Sequence, residues 1–187
     1  MKFALLLVAA MANLQGCVPL VIGAAAGTGI ILTEDRRSDG TILDDQAIEI
    51  QAGNRIQHRF GDQARVAVTS FNRFVLLTGT VPSEAITAEV ASVVLEVPNV
   101  RNIQNELGVS GTPSFMSRSN DALLSTRVKG RLVQSKNVDG SYVKVVADNG
   151  SVYLMGLVTR AEAEEAAHIT ATTAGVERVV KVFEYVD

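Results

Sequence analysis

The chain has no tryptophan, one cysteine and two histidines in 187 residues. With only Cys17 present, no disulfide can form within the chain, and no cysteine-built metal cage is possible. His58 and His168 lie far apart in sequence, and neither has a second ligand at metal-binding spacing. No Gly-x-Ser-x-Gly elbow occurs. Gly27-Thr28-Gly29 follows no strand and precedes no third glycine, so it is not a dinucleotide loop. The pattern therefore offers no catalytic site, no metal site and no cofactor motif. Charge is also modest. Seventeen basic residues against 20 acidic ones give a formal charge of −3, without the basic footprint of a bulk nucleic-acid binder.

What is present begins at the N-terminus. Lys2 is followed by an uncharged apolar run, Phe3 to Ala12. This is the shape of a secretory signal, and it is shorter than the about 20 apolar residues that span a bilayer. Leu14-Gln15-Gly16-Cys17 closes it and resembles the bacterial lipobox. The resemblance implies a signal peptide at residues 1–16, cleavage before Cys17, and acylation of that residue. Two or three acyl chains together make a stable anchor. Val18, rather than aspartate, follows the cysteine, which by the same resemblance implies the outer membrane. Loss of Lys2 with the signal takes the formal charge from −3 to −4. Val18 to Leu32 is apolar, uncharged and rich in glycine and alanine, and reads as a tether near the lipid surface. A short embedded helix is the competing reading, weakened by Gly23, Gly27 and Gly29.

The rest of the chain is a repeat, with units at residues 45–109 and 120–187 separated by a Gly/Ser linker at 110–119. Each unit opens on an amphipathic helical pattern: Ile48, Ala52, Ile56 and Phe60 in the first, Leu124, Val128 and Leu132 in the second. An alternating strand follows, Arg65 to Thr69 and Tyr142 to Val146. A turn then leads to the closest match, Phe74 to Val81 against Ser151 to Val158. Asp148-Asn149-Gly150 is a strong hairpin signal, and Phe71-Asn72-Arg73 a weaker one. Ser83 and Thr159 are expected to cap the second helices, and strands near 100–107 and 176–183 end the units. Gly79 and Gly156 recur at equivalent places, where a close approach or bend is expected. Glu162, Glu164 and Glu165 read as a solvated face.

Helix-strand-strand-helix-strand with a Leu-x-Gly-x-Val centre resembles the BON domain. The implied fold class is α+β: two tandem BON domains, each with two helices packed on a small three-stranded mixed sheet. Asp35-Arg36-Arg37-Ser38-Asp39-Gly40-Thr41, followed by Asp44-Asp45, resembles a stretch of the dual-BON outer-membrane lipoproteins. Residues 17–44 would then be the lipidated cysteine and tether. On charge alone, residues 35–45 read as a solvated lead into the first helix. The family is linked to outer-membrane integrity and to binding anionic phospholipid. The resemblance thus implies a non-enzymatic protein anchored in the outer membrane and facing the periplasm.

One face of the second unit suits that chemistry. Between Asp121 and Lys136, four basic residues stand against Asp121, a local net of +3. With Leu124, Val128 and Leu132 assigned to the core, Leu123, Arg127, Gly130 and Arg131 share another face at three- and four-residue steps. An apolar side chain beside two arginines, with a glycine allowing close approach, suits a phosphate headgroup and the top of an acyl chain. These four residues are the expected phospholipid site. The first unit's helix holds Arg55 and Arg59 with Glu49, and no exposed apolar partner is evident there. The competing functional reading is an adaptor whose BON domains bind envelope proteins.

Overall fold

The computed structural model describes residues 35–109 and 115–187. The expected signal peptide, Cys17 and the Val18–Leu32 tether lie outside the described residues.

The first unit runs α1 (Asp39–Phe60), β1 (Arg65–Phe71), β2 (Phe74–Val81), α2 (Glu84–Leu95), β3 (Asn102–Asn105) and β4 (Gly108–Val109). The second runs α3 (Phe115–Val133), β5 (Val143–Asp148), β6 (Ser151–Val158), α4 (Arg160–Ala171) and β7 (Arg178–Tyr185). In each sheet the long apolar strand is central. β2 pairs antiparallel with β1 and parallel with β3 and then β4, in one register broken at Glu106-Leu107. β6 pairs antiparallel with β5 and parallel with β7.

Both hairpins turn on two residues with positive φ, Asn72 (53°) with Arg73 (63°), and Asn149 (48°) with Gly150 (74°). Two left-handed residues match the twist of the flanking strands. Ser83 caps α2, and Thr159 caps α4 in a reciprocal box with Glu162. At Gly79 and Gly156 a side chain would not fit. A Cβ on Gly79, at φ 115°, would lie 2.0 Å from the Arg65 carbonyl oxygen; on Gly156 it would lie 2.3 Å from that of Tyr142.

Two helix boundaries differ from expectation. α1 starts at Asp39, capped by Ser38, and α3 starts at Phe115, inside the stretch read as linker. Asp45 and Asp121 are therefore within helices, not at their ends. Each faces its unit's hairpin. Asp45 accepts hydrogen bonds from Ser70 Oγ (2.6 Å), Arg73 N (2.7 Å), Asn72 N (2.8 Å) and Arg37 Nη1 (2.8 Å). Asp121 accepts from Asn149 N (2.9 Å) and Gly150 N (3.2 Å).

The core has three parts. α1 and α2 cover one face of their sheet through Ile48, Ala52, Ile56, Val75, Leu77 and Val90. α3 and α4 do the same through Leu124, Val128, Leu132, Val152, Leu154 and Ala166. Phe71, Leu76, Tyr153, Met155 and Val182 form a third cluster, drawn from both sheets. They sit on the opposite face of each strand from the helix-covered residues. The open faces of the two sheets thus bury one another, giving four layers with α1 and α2 outside one sheet and α3 and α4 outside the other. Polar contacts rim this junction: Lys144 to Glu49, Arg101 to Glu184, Arg178 to Glu106, and Gly79 N to Asp148.

Candidate functional site

α3 and α4 lie side by side on the outer layer of the second unit. Leu124, Val128 and Leu132 bury the inner stripe of α3, which turns the expected site outward. Leu123 is 62 % exposed, and Arg127, Gly130 and Arg131 are exposed as well. A Cβ on Gly130 would meet nothing within 4 Å.

The two arginines have an internal task that sequence reasoning did not foresee. Arg127 Nη1 donates to the Ala174 carbonyl (2.6 Å). Arg131 Nη1 donates to the Ile169 carbonyl and to Thr173 Oγ1, both at 2.7 Å. These groups end α4, so two guanidiniums stand at the negative end of its dipole. Gly175, at φ 96°, gives Arg127 room, since a Cβ there would lie 3.3 Å from its Nη1. A guanidinium carries five N–H donors in a fixed fork. One nitrogen of each is used in these bonds, which hold the fork in place without consuming it.

Val133, at the other end of α3, is 64 % exposed and was not expected at the site. Extending the Leu123 stripe by further helical steps would have reached it. With Gly130 it lines a shallow groove alongside Thr126, Lys129, Lys144 and Val145. Lys129 donates to the Gly140 and Val143 carbonyls, each at 2.6 Å, and burial lowers its pKa.

Residues 35–45 are not a solvated lead. Arg36 donates to both carboxylate oxygens of Glu162 (2.7 and 2.8 Å) and to the Leu157 carbonyl, and lies 3.9 Å over the Tyr142 ring. Arg37 pairs with Asp35 and Asp45 and lies 4.0 Å over the Phe71 ring. Glu162, read from spacing as part of a solvated face, is the anchor of this contact. Its bond to Arg36 holds its carboxyl well below the usual range, at about 2. Helical spacing identifies an outward position but cannot see a partner 126 residues away.

A larger cleft of about 1100 Å³ opens where the units meet, lined by Gly79, Glu106, Asp148, Tyr153 and Arg178 among others. Arg178 there bonds Glu106 and the Tyr153 hydroxyl, and burial raises the pKa of Asp148. Among the described residues, no group of three or more His, Cys, Asp or Glu could hold a metal ion, and no helix is long and apolar enough to cross a membrane.

Residues 44–111 and 120–187 each match the BON domain. Over 188 residues the chain is 38 % identical to the Outer membrane lipoprotein DolP of Haemophilus influenzae, covering 100 % of this chain and 96 % of that one. It is 30 % identical over 154 residues to the 21 kDa hemolysin of Actinobacillus pleuropneumoniae, covering 81 % and 79 %. It is 26 % identical over 144 residues to the Osmotically-inducible protein Y of Escherichia coli, covering 75 % and 72 %. Tandem BON units, together with likeness along the whole length to an outer-membrane lipoprotein, establish that the chain belongs to the dual-BON-domain family of outer-membrane lipoproteins.

Proposed function

We propose that the protein is held at the outer membrane by acylated Cys17, faces the periplasm, and helps maintain the envelope by engaging anionic phospholipid through α3 of its second BON domain. The lipobox-like Leu14-Gln15-Gly16-Cys17 supports the anchor. The observation that carries the lipid reading is Leu123, a large apolar side chain 62 % exposed on the helix that presents Arg127, Gly130 and Arg131. Leu123 supplies apolar contact at the level of the upper acyl chain. The arginines supply positive charge and N–H donors for phosphate, each basic residue near an anionic surface contributing about 1 kcal/mol. Their bonds to the end of α4 pre-set the guanidiniums, so little rotamer entropy is lost on binding.

The test is a titration of the lipid-free chain, residues 18–187, with anionic and with zwitterionic micelles, followed residue by residue by NMR. Shifts centred on α3 with anionic micelles, weakened by Leu123→Glu, support the reading. Unchanged binding in that variant, or equal response to both micelles, replaces it with the adaptor reading. Palmitate labelling of Cys17→Ala tests the anchor, and labelling equal to the parent's overturns it.

A further inference from the structure

α1 carries two periodicities. Its inner stripe, Thr41, Asp45, Ile48, Ala52 and Ile56, is buried. Its outer stripe is Leu43, Ala47, Ile50, Asn54 and Gln57, spaced four, three, four and three residues apart, and every one is exposed. Leu43 is 66 % exposed and Ile50 65 %. Alternating steps of four and three average 3.5, the repeat by which one helix interlocks with another. The stripe spans four turns, about 21 Å at the α-helical rise.

The chemistry of this stripe points to its occupant. The exposed positions from Leu43 to Gln57 are Leu43, Gln46, Ala47, Ile50, Gln51, Asn54 and Gln57, none of them charged. The acidic residues of this stretch are turned away and engaged: Asp44 pairs with Arg73, Asp45 with Arg37, and Glu49 with Lys144. At a two-fold interface a residue near the axis faces its own copy. A carboxylate or ammonium there would meet like charge. An amide both donates and accepts, so it can pair with itself. In a chain with an acidic excess, a charge-free stripe of two large aliphatics, one alanine and two amides, flanked by Gln46 and Gln51, is self-complementary. Ala47 lets the backbones approach between Leu43 and Ile50, and Asn54 offers the single buried amide pair that sets register in such seams.

We infer that α1 is a self-association surface, on which a second copy of the chain docks by pairing α1 with α1. The four-layer arrangement puts α1 and α3 on different outer layers. Anchoring of both copies to one membrane would raise their effective concentration, so a seam of this length need not be tight. The inference does not depend on phospholipid binding, but its test rests on the proposed acylation of Cys17.

The test exploits Cys17 as the only cysteine of the chain, expected to be acylated. A thiol introduced elsewhere in the anchored full-length protein is then the one available to a short bismaleimide. Ile50→Cys lies at the middle of the stripe and faces its mate whichever way the helices run; Ala47→Cys leaves both large aliphatics in place. Gln134→Cys, exposed in the turn just after α3, is the control for crowding. Cross-linked dimer several-fold above the control at position 47 or 50, reduced to the control level by added Leu43→Glu, supports the inference. Yield at both positions no greater than the control, or yield indifferent to Leu43→Glu while the melt is unchanged, overturns it.

Discussion

Arg36 and Glu162 stand 126 positions apart and meet through two parallel hydrogen bonds of 2.7 and 2.8 Å. The contact joins the segment ahead of α1 to the first turn of α4, so it fastens one BON domain to the other. Both side chains are largely shielded, with 27 % and 17 % exposure, and Arg36 also covers the Tyr142 ring. Glu162 is at the same time the reciprocal partner in the α4 cap.

Glu162→Gln should therefore lower stability at neutral pH by about 1–2 kcal/mol, the range for a charge-assisted pair. Glutamine can still accept from the Thr159 amide, so the cap is spared. The usual carboxyl value of 4.5 is held at about 2 in the folded chain. A carboxylate depressed by folding contributes stability that is complete above its unfolded pKa and lost as pH falls through its folded pKa. Thermal melts of parent and variant should differ most near neutrality and converge between about pH 4.5 and about pH 2. A difference that stays constant across that window would exclude the Arg36 pair as its source.

Asp45 is 3 % exposed and satisfies four donors, Ser70 Oγ, Asn72 N, Arg73 N and Arg37 Nη1. Asp45→Ala would leave two hairpin amides and the Ser70 hydroxyl without their acceptor, and the Arg37 guanidinium with Asp35 alone. Loss of a buried charged partner of this kind costs about 3 kcal/mol or more. Urea denaturation should show a large drop in midpoint. Exchange of the Asn72 and Arg73 amides should accelerate beyond what global unfolding explains, because the hairpin loses its support first.

Gly79→Ala and Gly156→Ala should each destabilise severely, by about 2 kcal/mol or more, since the added methyl meets backbone oxygen rather than a movable side chain. Gly79 adds the strain of φ 115°. Gly130→Ala is the contrasting case. Its Cβ enters open space in a helix, so a gain of up to about 1 kcal/mol is expected. Calorimetric melts of the three variants should order in that way.

The arginines of α3 should separate from Leu123 in the same measurement. Leu123→Glu changes an exposed side chain and should leave the melt within about 0.5 kcal/mol of the parent. Arg131→Ala removes bonds to the Ile169 carbonyl and Thr173 Oγ1, and should lower stability by about 1 kcal/mol. A melt of Arg131→Ala equal to the parent's would mean that the end of α4 does not rely on it. Its guanidinium would then be held loosely rather than pre-set.

Much of this architecture was legible as local pattern. The duplication, the alternation of β1 and β5, the Ser83 and Thr159 caps and the paired Gly79 and Gly156 are all written within a few residues of where they act. Helix and strand periods, capping and steric room are short-range properties of the chain. Leu123 was also legible, because an apolar residue off the core stripe of a helix must either find a partner or stay exposed. Only the tertiary structure decided which faces meet. The near-continuous apolar run Val152-Tyr153-Leu154-Met155 shows that β6 has no polar face, but not that β2 of the other domain covers it. Likewise, Arg36 reads as one more charge until Glu162 is placed beside it. Arg127 and Arg131 read as free cations until the end of α4 supplies carbonyls. Asp45 and Asp121 read only as acidic residues near the start of each unit until the hairpins turn toward them. Each of these depends on a partner distant in sequence, and the pairing energy is set by distance and solvent exclusion, which exist only once the sheets have packed.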